Sequence, residues 1–193
     1  MNTFADPVHS TRCEIIPRCL SIDLLPRTIT RPGTIIVNCD PHTEDCSHWL
    51  AINFQPKSCS EFYFDSYGLR PYIPSILSLL KHTCAVWNFN TVQLQGLTSS
   101  VCGHYCCLFA LYLDKGYSPK QLTSLFDTRT ADKQVVQIFA SEFPRLCLSV
   151  RGETSSRGGQ CCTCYTRRYV RETLTLAGGN LIRKRFPHVL YMS

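Results

Sequence analysis

Four residues of this chain combine side-chain types that can break a peptide bond. In chain order they are His48, Asp65, Gln95 and Cys102. Cysteine attacks carbonyl carbons as a thiolate, and a neighbouring imidazole lowers the pKa of the thiol. A carboxylate on the other imidazole nitrogen fixes the tautomer, and a carboxamide can donate to the oxyanion of a tetrahedral intermediate. The set predicts catalysis by a nucleophilic cysteine.

The residues around Cys102 predict where its thiol lies. Ser99 and Ser100 are good N-cap residues, and an apolar stretch follows over residues 101–113. We therefore expect the thiol in the first turn of a helix, where the helix dipole favours a thiolate. Gly103 lets substrate and backbone approach closely, and we expect its N–H group to join the oxyanion hole.

Each of these residues also has a purely structural explanation. Taken alone, His48 fits a strand histidine whose hydrogen bonds are satisfied within the fold. Asp65 fits a turn residue ahead of Gly68, since Asp is common in turns. Gln95 is explained equally by an exposed strand end. The joint spacing of His48, Asp65 and Cys102 favours catalysis, whereas the donor role of Gln95 depends mainly on a resemblance.

The pattern resembles the adenovirus-type cysteine proteases and their cellular relatives, the SUMO-specific (Ulp-type) proteases. Asp65 stands seventeen residues after His48, where the adenovirus enzymes carry Glu and the SUMO-specific ones Asp. The other matching segments are His48-Trp49, Gln95-Gly96, Cys102-Gly103, the doublet Cys106-Cys107, the strand-like Ile35-Ile36-Val37-Asn38 and the leading Asp23-Leu24-Leu25-Pro26. The likeness covers roughly residues 20 to 145. The short N-terminus, the Asp and the tail depart from it.

The resemblance implies a cysteine endopeptidase that cuts after Gly-Gly or Gly-x motifs in capsid-like proteins of a virus or an adenovirus-like transposable element. It implies no required cofactor, with DNA or an activating peptide as activators, and a nuclear or virion-associated location. Trp49 is expected to pack over the His48 ring or to wall the cleft. Two alternatives are a deconjugase of a ubiquitin-like modifier and a non-enzymatic remnant that binds nucleic acid.

Hydrophobic periodicity predicts an α+β domain, in agreement with the central mixed sheet of the related families, packed against a catalytic-cysteine helix and peripheral helices. A turn at residues 55–58 predicts an antiparallel hairpin. The predicted strands cover residues 34–37, 50–54, 61–64 and 91–94, with extended chain over 84–89, and the predicted helices cover residues 72–81, 101–113, 118–126 and 131–143.

Length and composition predict a single intracellular domain with a basic tail. The chain has 193 residues, enough for a single core, and no run of 18 apolar residues that would predict a membrane span. The N-terminus lacks a signal-peptide core. We divide the chain into a lead-in (1–20), a protease domain (21–145) and a tail (146–193) that begins with a linker.

Thirteen cysteines are an odd number for disulfide pairing, and we favour buried thiols acting as small hydrophobes for Cys106 and Cys107. Residues 161–164 lack zinc-ligand spacing, so no metal site is expected.

Cys84 precedes Gln95 by eleven residues, the spacing at which an adenovirus-type enzyme carries the cysteine that forms a disulfide with its activating peptide. An ordinary half-buried strand thiol is the alternative for Cys84.

The formal excess of positive charge lies in the tail. Residues 151–193 hold eight Lys or Arg and two Asp or Glu, whereas residues 1–150 hold twelve of each. A solvated extension and a surface for nucleic acid or another acidic partner both explain it. The segment 176–180 resembles the adenovirus-type cleavage consensus, which predicts self-cleavage between Gly179 and Asn180.

Overall fold

A computed structural model describes residues 18–44, 47–55, 60–84 and 86–143. The lead-in before residue 18 lies outside this part of the chain. So does the segment from residue 144 to 193, with the predictions of a linker, a nucleic-acid surface and a cut after Gly179.

Five strands form one mixed sheet in the order β1-β2-β3-β4-β5. The outer pairs β1/β2 and β4/β5 are parallel, and the two inner pairs are antiparallel. Ala51 lies opposite Phe64, so the predicted hairpin of the third and fourth strands is confirmed. The strands are Arg18–Ser21 (β1), Gly33–Asn38 (β2), Trp49–Gln55 (β3), Ser60–Phe64 (β4) and Trp87–Phe89 (β5).

Four helices accompany the sheet, and together they make the predicted α+β architecture. They are Pro74–Thr83 (α1), Cys102–Asp114 (α2), Pro119–Ser124 (α3) and Ala131–Glu142 (α4), with a short 3-10 turn at Ile22–Leu24. The first precedes β5 and the other three follow it. Each predicted helix is present, with bounds that differ by a few residues.

The sheet separates two apolar clusters. On one face, α2 packs over the sheet with α4 behind it, around Ile36, Ala51 and Phe64. On the other face, α1 covers Ile52 and Tyr63. Because both faces are covered, the central strands β2 and β3 are buried along nearly their whole length.

The helix α2 is the centre of the first cluster. Its residues from Cys102 to Ala110 are buried with the sole exception of His104, which is half-buried. A helix that is apolar nearly all round belongs in a protein interior. Gly116, with φ of +93°, ends it as predicted, since this left-handed conformation suits glycine.

Two sequence predictions of strand structure need correction. The strand β1 lies at the end of the predicted lead-in and was not predicted, because it is short and is specified by the open edge of β2. Residues 91–94 form no strand: the N–H groups of Leu94 and Gln95 both donate to the carbonyl of Ser66 at 2.9 Å instead of to a strand ladder. This part of the chain is therefore held by the turn at Ser66, and its β-branched residues did not make it a strand.

Candidate active site

His48 and Asp65 meet at one edge of the sheet. His48 directly precedes β3 and Asp65 directly follows β4, and these strands are antiparallel neighbours. The imidazole Nε2 lies 2.9 Å from Asp65 Oδ1. Asp65 is 1% exposed, so the carboxylate side of this contact is shielded from water, whereas the His48 side chain is 16% exposed. A hydrogen bond to a carboxylate places the proton on Nε2 and leaves the lone pair on Nδ1 for the base.

The backbone of Asp65 is held by Asn90, a residue that sequence analysis missed. Asn90 Oδ1 accepts from the Asp65 N–H at 2.9 Å, and Asn90 Nδ2 donates to the Asp65 carbonyl at 2.6 Å. The available signal was topological: β4 and β5 are parallel, so the residues that follow them meet at one edge. The carboxylate is therefore placed by a fixed backbone.

Asp65 Oδ2 is buried and has no hydrogen-bond partner in the structure. A buried carboxylate oxygen without a donor favours a positively charged neighbour. An imidazolium at His48 supplies such a charge. The orphaned oxygen is thus consistent with a carboxylate that stabilises a transient cation.

Gln95 is 1% exposed and lies at the start of the loop that leads to Cys102. Ser66 Oγ donates to its Oε1 at 2.7 Å, which determines which end of the carboxamide carries the hydrogens. Its Nε2 donates to the Ser99 carbonyl at 2.6 Å and to the Tyr67 hydroxyl at 3.2 Å. Both amide hydrogens therefore already have acceptors within the site.

Cys102 is the first residue of α2, as expected, and is 4% exposed. Its N-cap is Val101, whose carbonyl accepts from the N–H groups of His104 and Tyr105. The predicted caps Ser99 and Ser100 are not used, because a turn closed by the Ser99 N–H and the Gly96 carbonyl ends before the helix starts. The helix dipole at Cys102 is unchanged by this correction.

The loop between Gln95 and Cys102 is anchored to α4. Asp132 Oδ2 accepts from the Gly96 N–H at 3.0 Å, and Asp132 Oδ1 accepts from the Tyr105 hydroxyl at 3.1 Å. A Cβ on Gly96 would lie 3.0 Å from that same carboxylate oxygen. Gly96 therefore lets its backbone N–H approach the Asp132 carboxylate closely. From the sequence, Gly96 was noted only as part of a Gln-Gly pair.

The loop ahead of His48 is anchored in a similar way. Asp23 Oδ1 accepts from the His42 N–H at 2.9 Å, and the other carboxylate oxygen contacts the His42 ring. The side-chain hydrogen bond from His42 holds the pKa of Asp23 below its usual value. The leading segment at Asp23 thus connects to the β2–β3 loop that carries His48.

Trp49 is 2% exposed, and its predicted place over the His48 ring or in the cleft wall stays a prediction. It is buried in the cluster beneath α2, and among the described ring contacts the one to His48 comes from Tyr67, with centroids 5.0 Å apart. Gly103 lies buried in the first turn of α2, next to Cys102.

Two further cysteines are near the site or were assigned to it. Burial raises the pKa of the Cys39 thiol to about 12, and the carboxylates of Asp65 and Asp40 add to the shift. Cys39 is therefore held as a neutral thiol. Cys84 ends α1 and is 4% exposed, so a disulfide to a partner would require it to be uncovered; the redox role stays a prediction.

The family profile of the adenovirus endoproteases matches residues 27–136, which include all four predicted catalytic residues. The chain belongs to the adenovirus endoprotease family. The Protease of Human adenovirus A serotype 12 is 30% identical over 93 residues, a match that covers 41% of this chain and 45% of that relative. The chain thus spans less than half the length of the curated relative that it matches.

Two solved structures also match this chain. The first is the crystal structure of the ASFV protease, with 21% identity and a TM-score of 0.40, covering 56% of this chain and 41% of that one. The second is its selenomethionine form, with 22% identity and a TM-score of 0.40, covering 57% of this chain and 44% of that one.

In residues 18–143, apart from the short gaps, no group of three His, Cys, Asp or Glu side chains could hold a metal ion. No helix in that part of the chain has the length and apolar character to cross a membrane.

Proposed function

We propose that this family member is a cysteine endopeptidase in which Cys102 is the nucleophile and His48 the general base. The observation that carries the proposal is the partly buried 2.9 Å contact between His48 Nε2 and Asp65 Oδ1. This contact engages Nε2 and leaves Nδ1 for proton transfer. Cys102 begins a buried helix that packs on one face of the sheet. Asp65 orients the imidazole and stabilises its cation.

Acylation begins when the Cys102 thiol gives its proton to His48 Nδ1. The thiolate sulfur then forms a bond to the carbonyl carbon of the substrate, and the π electron pair moves onto the carbonyl oxygen. Collapse of this intermediate breaks the carbon–nitrogen bond, and the leaving amine takes the proton from His48. A thioester on Cys102 remains.

Deacylation repeats these steps with water as the nucleophile. His48 takes a proton from the attacking water, the carbon–sulfur bond breaks, and the sulfur leaves as the thiol with the proton from His48. The oxyanion in both halves is held by Gln95 and by the Gly103 N–H, since the first turn of a helix leaves N–H groups without intrahelical acceptors. For Gln95 this requires one of its two present acceptors to be given up.

We further propose polypeptide substrates with Gly-Gly or Gly-x before the cut, drawn from capsid-like proteins of a virus or transposable element. The family membership and the predicted site support this substrate class. DNA or an activating peptide is proposed as an activator, with the basic tail as the contact for nucleic acid. A nuclear or virion-associated location is proposed on the same basis.

The test is a cleavage assay with purified full-length chain on two substrates: a fluorogenic Leu-Ala-Gly-Gly peptide and a ubiquitin-like fusion. We expect turnover of the peptide by wild type and by Cys107→Ala, which removes a buried thiol of the same helix, and none by Cys102→Ala. Cleavage of the fusion alone would favour a deconjugase. Equal peptide turnover by Cys102→Ala and wild type would refute the proposal.

A further inference from the structure

Tyr67 contacts three of the four residues proposed to catalyse the reaction. Its N–H donates to Asp65 Oδ1 at 2.9 Å. Its ring lies against the His48 imidazole, with centroids 5.0 Å apart and planes inclined by 33°. Its hydroxyl oxygen accepts from Gln95 Nε2 at 3.2 Å. One side chain therefore connects the base to the oxyanion donor.

The direction of the Tyr67 side chain is set by a rigid turn. The Gly68 N–H donates to the Asp65 carbonyl at 2.8 Å, which closes the turn around Tyr67. Gly68 has φ of +70°, and a Cβ there would lie 2.8 Å from the Val92 carbonyl carbon. Only glycine fits this position without strain, so the turn holds the tyrosine ring over His48.

The tyrosine ring bears on the charge state of His48 during the reaction. His48 becomes an imidazolium when it takes the proton of the Cys102 thiol. An aromatic face within about 6 Å of a cation attracts it through the ring quadrupole. The Tyr67 ring at 5.0 Å thus favours the charged form of the pair.

The tyrosine hydroxyl occupies one of the N–H groups that Gln95 would donate to the oxyanion. The carboxamide has two N–H donors, and both are used, one by the Ser99 carbonyl at 2.6 Å and one by the Tyr67 hydroxyl at 3.2 Å. Donation to an oxyanion requires one of these bonds to open. The bond to Tyr67 is the longer, and a phenol oxygen is a weaker acceptor than a developing oxyanion.

We propose that Tyr67 is a positioning residue of this active site, whose ring favours the imidazolium form of His48 and whose hydroxyl holds the Gln95 carboxamide until the oxyanion forms. The proposal rests on the proposed cysteine endopeptidase function. It assigns the ring and the hydroxyl separate effects, which separate variants can distinguish.

The experiment compares Tyr67→Phe, which keeps the ring, with Tyr67→Leu, which removes both ring and hydroxyl. Tyr112→Phe is the matched control, because it removes a tyrosine hydroxyl that contacts Glu142 at 3.4 Å, outside the site. The readouts are kcat and KM on the cleaved peptide and the pH dependence of kcat/KM. Circular dichroism and the urea midpoint check that each variant is folded.

For Tyr67→Phe we expect kcat to fall about tenfold with KM unchanged, less than the loss from deleting an oxyanion donor outright. Its pH profile should match wild type. For Tyr67→Leu we expect a larger fall in kcat, and the alkaline limb of kcat/KM should move about half a pH unit lower because the imidazolium loses its aromatic neighbour. Tyr112→Phe should match wild type in all three quantities.

Wild-type kcat in Tyr67→Phe would overturn the role of the hydroxyl, and an unshifted alkaline limb in Tyr67→Leu would overturn that of the ring. If Tyr67→Leu fails to fold, the kcat and KM of Tyr67→Phe still decide the hydroxyl role, and the pH profile of Tyr67→Phe must match wild type for the ring role to stand. An inactive wild-type chain would contradict the proposed function itself, an outcome distinct from an active wild type with unaffected variants.

Discussion

At the scale of single residues, the site is built from side chains that flank regular elements. His48 precedes a strand, Asp65 follows one and Cys102 begins a helix. The positions of these three at strand and helix ends could be predicted, because such ends are recognisable from the apolar pattern; their catalytic roles stay predictions. Tyr67 and Asn90 could not be predicted, since their roles arise from contacts between loops that sequence spacing does not reveal.

Asp65→Asn tests the orienting carboxylate. The amide keeps the size of the side chain but can present its N–H₂ to His48, which favours the wrong tautomer. We expect kcat/KM to fall by about 100-fold or more, with the urea midpoint little changed. Asp127→Asn, in the exposed loop before α4, is the control and should keep full activity. Full activity of Asp65→Asn would remove this residue from the mechanism.

Glu61→Gln tests a buried carboxyl away from the site. Glu61 is 2% exposed, and neither carboxyl oxygen has a hydrogen-bond partner in the structure. Burial raises its pKa from 4.5 to about 7, so the folded state binds the proton more tightly than the unfolded state. The wild type should therefore lose stability as the pH rises from about 4.5 through 7, by an order of 1–3 kcal/mol.

The measurement is the urea midpoint of wild type and Glu61→Gln at pH 5 and pH 8. The neutral amide does not titrate, so its advantage over wild type should be larger at pH 8. A difference that is the same at both pH values would show that Glu61 titrates normally in the folded protein.

At the scale of elements, the apolar pattern predicted the central hairpin and all four helices. It failed where tertiary contacts decide the structure. The strand β1 depends on the open edge of β2, and the chain that ends at Leu94 is held by the Ser66 carbonyl in the turn after β4. The helix α2 begins at the predicted place but by a different cap, because the upstream turn takes Ser99.

Gly68→Ala tests the turn between β4 and α1 that carries Tyr67. The new Cβ would meet the Val92 backbone at 2.8 Å and sit on a residue with φ of +70°. Gly116→Ala is a matched control, since its φ is +93° and nothing lies within 4 Å of the added Cβ.

We expect about 1 kcal/mol of destabilisation for Gly116→Ala from the backbone alone, and about 2–4 kcal/mol for Gly68→Ala because a steric clash is added. Urea unfolding of both variants gives the two values. Equal destabilisation would mean that the contact with Val92 relaxes freely.

At the scale of the whole molecule, the described residues hold the complete predicted tetrad within the segment that matches the family, residues 27–136. The basic segment that follows carries the formal net charge of +6 and the Gly-Gly at residues 178–179. Its predicted roles stay predictions.

Self-cleavage of that segment has a direct test. On long incubation, wild type should lose residues 180–193, and Cys102→Ala should stay whole, because the same thiolate performs the cut. Gly179→Val should block the cut by adding a side chain at the residue before it. Intact-mass spectrometry reports the result. An active wild type that keeps its full mass, or equal trimming of Cys102→Ala, would end this hypothesis.

The central claim is that Cys102 is the nucleophile of an endopeptidase. The most direct measurement is digestion of a peptide library derived from a whole proteome, with new termini mapped by mass spectrometry for wild type and Cys102→Ala. We expect new termini after Gly-Gly or Gly-x with wild type and none with Cys102→Ala. New termini at the same sites and rates with Cys102→Ala would contradict it.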